Sequence, residues 1–434
     1  MREFFVTDRI GLSMKRWRNN VLLMIAGTLL GLIFCEIGLR GVGISYPIVY
    51  QIDDEVGASL RPGAEGLWKS EGEAYIRVNS AGLRDREHDR LKSAQSLRIA
   101  VLGDSFAEAV QVPVENTFWW ILEQEMKGCP AVAGREPEVI NFGVSGYGTA
   151  QELITLRHRV WSYSPDIVLL AFVTGNDVRN NSRVLEQDDR RPFFFLEGRQ
   201  LIPDFRFRDS LGFRLRQTTV VRWAYQVLNS LRIWQVVSEI RRIIKAHSAQ
   251  EHARSIGAET LRASDATVGS PDATLWNGYA EAGLDAAVYI DPRDRAWKEA
   301  WQVTESLLIV MRNEVREKGA QFMVVTLSNA PQVHPDPAVR RTFERYLGVP
   351  HLFYPDFRIR DLGQREGFTV LNLAPPFSKY AERNQVFLHG FENSGVGRGH
   401  WNKEGHRLAG QLVAHNLCVE LSRTSSPGLQ AAKS

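Results

Sequence analysis

The chain has 434 residues, 44% of them hydrophobic and 24% charged, and 53 Lys or Arg against 50 Asp or Glu leave a formal charge of +3. This is the composition of a globular protein with a large core, and near-balanced mixed charge gives no basis for a dedicated nucleic-acid binder. Cys35, Cys129 and Cys418 show no paired CxxC spacing and the ten histidines include no HExxH-like pattern, so no metal site is expected.

In chain order, the first feature is VLLMIAGTLLGLIFCEIGL, residues 21–39, nineteen residues whose one charge is Glu36. That length crosses a hydrocarbon core of about 30 Å as a helix. Arg2, Arg9, Lys15, Arg16 and Arg18 precede it, whereas Arg40 is the only basic residue between the run and Arg61. The positive-inside rule therefore places residues 1–20 in the cytoplasm and the main body outside. No small-x-small site closes the run, so the expectation is an uncleaved single-pass signal anchor in the inner or plasma membrane, with the body periplasmic or extracellular. Glu36 lies near enough to the end for its carboxylate to reach the interface. An exported body permits disulfides, and Cys129 and Cys418 are either a bridge or two separately buried thiols.

Residues 44–95 read as a small extension packed on the main domain, with a predicted hairpin over 67–79 turning at Glu71 to Glu73. The main domain, 96–421, opens with LRIAVLGDSF, residues 97–106, an apolar run that stops at Gly103, Asp104 and Ser105. Such a run bounded by a turn predicts a strand buried on both faces. Four more follow at residues 138–142, 167–173, 322–327 and 369–373, alternating with predicted helices at 115–126, 149–163, 296–318, 356–365 and 403–421. The pattern predicts a three-layer α/β domain around a five-stranded parallel sheet. An insertion over 180–295 interrupts it. Within this insertion, residues 206–245 carry nine Arg or Lys interleaved with apolar residues, which suits a helical pair docked on the domain, a lid, or an amphipathic surface on anionic membrane. Residues 247–270 read as a polar, mobile loop and the 424–434 tail as disordered.

Open α/β sheets place ligands at the carboxyl ends of their strands. There the first strand presents Ser105, the second Gly146 in VSGYG, the third Asn176 in GND, and the last His400 in GHWNKEGH. Acyl transfer needs such a set: a nucleophile, a base, and donors for the developing oxyanion. Each motif alone is an ordinary turn, cap or loop. Asp104 is expected to brace its turn, Trp401 and Asn402 to support their loop, and His406 to be structural.

Over residues 79–418 the chain resembles the SGNH, or GDSL-type, hydrolases, with GDSF, VSGYG, GND and GHWNKEGH in the family's chain order. The resemblance implies the flavodoxin-like α/β/α fold, Ser105 as nucleophile, His400 as base, and an oxyanion hole made by the N–H groups of Ser105 and Gly146 with the Asn176 amide. It implies no cofactor. One position departs from the family: the aspartate usually found three residues before the histidine is Gly397 here. Glu392 is then the candidate orienting acid, with a Ser-His dyad as the alternative. The expected function is hydrolysis of an ester-bearing carbohydrate or lipid. The alternatives are O-acyl transfer to polysaccharide, served by an acyl-transfer partner protein, and a non-catalytic scaffold of envelope-polysaccharide assembly.

Overall fold

The computed structural model describes residues 4–186, 188–198, 200–241, 244 and 286–425, with side chains between Trp17 and Arg423. The predicted polar loop at 247–270 and the tail beyond residue 425 lie outside the described residues.

The first helix, α1 (Phe4–Gly41), contains the candidate span Trp17–Gly41, whose most apolar 18-residue window has a mean hydropathy of 2.2 and no residue buried by protein. It is long and apolar enough to cross a membrane. Two antiparallel hairpins follow, β1 (Tyr50–Asp53) with β2 (Gly57–Leu60) and β3 (Glu65–Trp68) with β4 (Ala74–Arg77). The second is the expected hairpin, with Trp68 opposite Ala74 and residues 69–73 as its turn.

The strand β5 (Ser96–Gly103), buried along its whole length, runs into the one-turn helix α2 (Ser105–Glu108). Then come α3 (Phe118–Met126), β6 (Glu136–Asn141), α4 (Thr149–His158), β7 (Ile167–Val173) and α5 (Asp177–Asn180). The insertion holds a hairpin of β8 (Phe193–Glu197) and β9 (Gln200–Asp204), then α6 (Leu211–Gln217), α7 (Thr219–Ser230) and a helix over 232–241, α8. The remaining elements are α9 (Arg295–Glu317), β10 (Gln321–Leu327), α10 (Pro337–Leu347), α11 (Tyr354–Glu366), β11 (Thr369–Asn372), α12 (Ala374–Asn384) and α13 (Lys403–Ser425). The sequence leaves α10 and α12 unassigned. Both carry proline in the first turn, where the missing N–H has no intrahelical acceptor to lose.

All five central strands are parallel, in the order β11-β10-β7-β5-β6, the flavodoxin-like arrangement. Alternation along the strands splits the core in two. Ala100, Leu102, Val168, Leu170 and Phe172 pack under α4 and α9, with Leu153, Trp301 and Leu308. Ile99, Val101, Leu169 and Ala171 pack against Trp119, Leu122 and Val413 of α3 and α13.

Cys129 and Cys418 form a disulfide, with Cα atoms 5.7 Å apart, so the bridged one of the two sequence alternatives is realised. It ties α13 to the segment after α3 across 289 residues. A Cys129→Ser/Cys418→Ser chain should lose about 2–4 kcal/mol of stability, because the bridge restricts a very long loop in the unfolded state. Urea unfolding of the two full-length chains measures this.

The chain divides into two compact units: residues 1–48 with 219–247, and residues 49–218 with 248–434. The 180–295 insertion is therefore not one body. Its β8–β9 hairpin and α6 belong to the sheet-bearing unit, whereas α7 and α8 belong with α1. In that smaller unit the Glu36 carboxylate accepts the backbone N–H groups of Arg232 (2.9 Å) and Ile233 (3.0 Å), the first two of α8. Arg40 donates to Glu36 (2.8 Å) and to the Ser230 carbonyl (2.8 Å).

Candidate active site

Each expected residue lies just beyond the carboxyl end of its strand or next to the closing helix. Ser105 opens α2, where the Asp104 carboxylate caps the turn by accepting the Phe106 N–H (2.9 Å). The other Asp104 oxygen accepts the Asn176 side-chain amide (2.9 Å), drawing the end of β7 against the turn after β5. On the opposite side, Glu108 at the end of α2 accepts the Ser145 N–H (2.5 Å) and the Tyr50 hydroxyl (3.0 Å), holding the loop that carries Gly146. Gly146 adopts φ +80°, a conformation glycine enters without a Cβ penalty. Its carbonyl accepts the Arg191 guanidinium (2.6 Å).

Among the described residues, the N–H groups of Ser105 and Gly146 have no hydrogen-bond partner, and Asn176 keeps its second amide hydrogen uncommitted. β5 is flanked by β6 and β7, so these three donors come from adjacent strands.

His400 Nε2 stands 2.8 Å from Ser105 Oγ, and His400 Nδ1 stands 2.6 Å from Glu71 Oε2. Glu71 Oε1 accepts the backbone N–H of the same histidine at 2.8 Å. One carboxylate thus holds both the ring and the main chain. Because a carboxylate only accepts, Nδ1 carries the hydrogen and Nε2 is free to accept from Ser105. Burial pushes the Glu71 carboxyl up, but the neighbouring His400 charge, the two bonds from His400 and one from Gln111 outweigh it and leave it below the ordinary carboxylate value.

Glu392, the expected orienting acid, is instead exposed, and His400 is held by Glu71. Gly397, three residues before His400, has φ +82°, and a Cβ there would stand 2.8 Å from the Phe387 ring. A side chain at that point would be strained and would have to displace the ring, and the carboxylate beside His400 comes from the β3–β4 turn. That turn is fastened by Asn393, which accepts the Gly72 N–H (3.0 Å) and donates to the carbonyls of Gly72 (2.9 Å) and Lys69 (3.1 Å). The sequence marks the hairpin and its acidic turn, but pairing Glu71 with His400 needs the path of the chain across 329 positions.

Gly399 has φ +70°, and a Cβ on it would collide with Glu71 Oε1. Gly399→Ala should therefore lower kcat about 100-fold by displacing the carboxylate, while backbone strain costs about 1–3 kcal/mol of stability. Kinetics and thermal unfolding of the same preparation separate the two effects.

Behind His400, burial pushes His389 down to about 4, so the ring is neutral at physiological pH. Its Nδ1–H donates to the Gly399 carbonyl (2.7 Å) and its Nε2 accepts from Ser328 Oγ (3.1 Å), which in turn accepts the Trp401 indole N–H (2.9 Å). This chain fixes the loop carrying His400, a part that neither Ser328 nor His389 reveals in the sequence. His406 is buried, accepts the Phe118 N–H (3.3 Å), and is pushed by burial down to about 3, in line with a structural place. Burial likewise raises Asp104 above its ordinary value, partly offset by the Asn176 amide and the Phe106 N–H. Among the described residues no group of three or more His, Cys, Asp or Glu could hold a metal ion.

Neither a protein-family model nor a curated protein matches the chain. Several solved structures resemble it at low identity. An acetyl xylan esterase shares 12% identity over 74% of this chain and 98% of its own, with a TM-score of 0.32. A catalytic mutant of an acetylxylan esterase from Geobacillus stearothermophilus shares 10% over 77% and 96%, with a TM-score of 0.35. A protein of the G-D-S-L family from Desulfitobacterium hafniense shares 11% over 74% and 99%, with a TM-score of 0.32.

Proposed function

We propose that the chain is a membrane-anchored serine ester hydrolase of SGNH type whose catalytic unit faces the periplasm or cell exterior. The carrying observation is the unbroken relay Ser105 Oγ, His400 Nε2, His400 Nδ1, Glu71 Oε2, with links of 2.8 and 2.6 Å, beside three uncommitted N–H donors. Ser105 Oγ attacks the acyl carbon as His400 Nε2 takes its proton. The N–H groups of Ser105 and Gly146 and the Asn176 amide receive the oxyanion. Collapse breaks the ester C–O bond, and His400 returns the proton to the leaving alcohol, leaving an acyl group on Ser105. Water, deprotonated by His400, attacks the acyl carbon, the bond to Ser105 Oγ breaks, and His400 returns the proton to Oγ as the acid leaves; a sugar hydroxyl entering by the same route would complete acyl transfer instead. Glu71 keeps the imidazole in the working tautomer and balances its transient charge. The scaffold reading drew its support from a missing acid, and Glu71 removes that support.

Three observations support anchoring and export. α1 is long enough to span, and the basic residues precede it. Glu36 and Arg40, near its end, bond to α7 and α8 of the same chain, which favours a retained helix over a cleaved leader. The Cys129–Cys418 bridge suits an oxidising compartment.

Fluorophosphonate labelling of the full chain in membranes tests the reading. Labelling that maps to Ser105 and is lost in His400→Ala supports it. A folded chain that takes up no probe overturns it.

A further inference from the structure

The smaller compact unit carries a surface that the proposed chemistry does not use. α7 exposes Val220 (75%), Trp223 (65%) and Val227 (40%), and Leu231 (37%) follows directly after its last residue, Ser230. Their spacing of three, four and four residues places them on one stripe. α8 adds Ile240 at 51%, with the Arg241 guanidinium 5.7 Å above the Trp234 ring. Arg222, Arg232 and Arg241 outnumber the single acid, Glu239, over residues 219–241.

What lies against this stripe is indicated by where the α7–α8 corner is fixed. Glu36 is the one acidic residue of the apolar stretch, and its carboxylate caps the start of α8. Arg40, one turn later, holds the last carbonyl of α7. Gln235, which is buried, accepts the Tyr46 N–H (3.2 Å) just after α1 and donates to the Asn229 carbonyl (2.9 Å). The corner is therefore bonded to the carboxyl-terminal end of the apolar helix α1. It also explains how an acid is tolerated there: Glu36 satisfies helix N–H groups and an arginine instead of facing lipid.

We propose that α7 and α8 form an interfacial helical hairpin lying in the same bilayer leaflet from which α1 emerges. The Val220, Trp223, Val227 and Leu231 stripe enters the acyl boundary, and Arg222 and Arg241 meet anionic phosphate headgroups. This inference rests on the anchored reading above. The anchor then consists of a span and a surface helix pair, and the chain enters the catalytic unit from it at residues 48–49 and leaves for it again at 218–219.

The test uses the full chain, with Cys35→Ser and one added cysteine bearing an environment-sensitive fluorophore, in phosphatidylcholine–phosphatidylglycerol vesicles containing shallow nitroxide lipid. Labels at Trp223→Cys and Val227→Cys should be quenched about twofold or more, while Tyr225→Cys, on the opposite side of α7, stays unquenched. Leu30→Cys, inside the span, reports anchoring separately through a deep nitroxide lipid. Quenching at 30 with none at 223 and 227 overturns the inference and leaves the anchor standing. No quenching at 30 overturns both. Protection of 223 with concentration-dependent self-quenching assigns the stripe to a second copy of the chain and also overturns it.

Discussion

Ser105→Ala should lower kcat for a simple acetate ester by about 10⁶-fold, and His400→Ala by a similar factor. The double variant should lose no more than either single one, because in the proposed mechanism nucleophile and base act as one unit through the 2.8 Å Oγ–Nε2 contact. Residual hydrolysis above the uncatalysed rate would come from the oxyanion donors and binding, which neither change removes. Measuring kcat for the three variants decides the matter. Losses that multiply, or a tenfold effect only, would mean that Ser105 and His400 do not work together.

Glu71→Gln should cost about 10⁴-fold in kcat with little change in KM, while Glu392→Gln leaves both unchanged. A glutamine carbonyl can still accept the His400 main-chain N–H, but its amide turns a donor toward Nδ1 and disfavours the tautomer that serves Ser105. The fold should survive, because Asn393 and the β3–β4 ladder hold the turn independently of that carboxylate. A stability readout adds a sign. The Glu71 carboxyl titrates below its ordinary value in the folded chain, so its contribution is complete above the ordinary carboxylate pKa of 4.5 and is lost as pH falls through the lowered value. Acid unfolding of Glu71→Gln should accordingly be less steep in that range than that of the unaltered chain. A kcat for Glu71→Gln within about tenfold of the parent would reduce the site to a Ser-His dyad.

The sheet was legible because its signals are local. The run ending in Gly103, Asp104 and Ser105, the turn at Gly146 and the Asn176 cap each lie within a few residues of the strand they terminate, and a parallel sheet aligns those ends whatever the connections do. The expectation at Glu392 failed for an equally physical reason. Glu392 would reach the ring only if the glycine-rich loop folded back, but the loop turns through Gly397 at φ +82° and leaves Glu392 exposed, while Glu71 holds the imidazole.

Period, turn chemistry and charge order, read along the chain alone, determined a five-stranded α/β domain, an apolar helix ahead of it, and the strand ends that carry Ser105, Gly146, Asn176 and His400. The tertiary structure decided which distant groups complete them. Glu71 meets His400 across 329 positions, Cys129 meets Cys418 across 289, and Glu36 reaches the first turn of α8 across 196. Local periodicity carries no information about such pairings, because they follow from how packed layers and hairpins bring separate segments together.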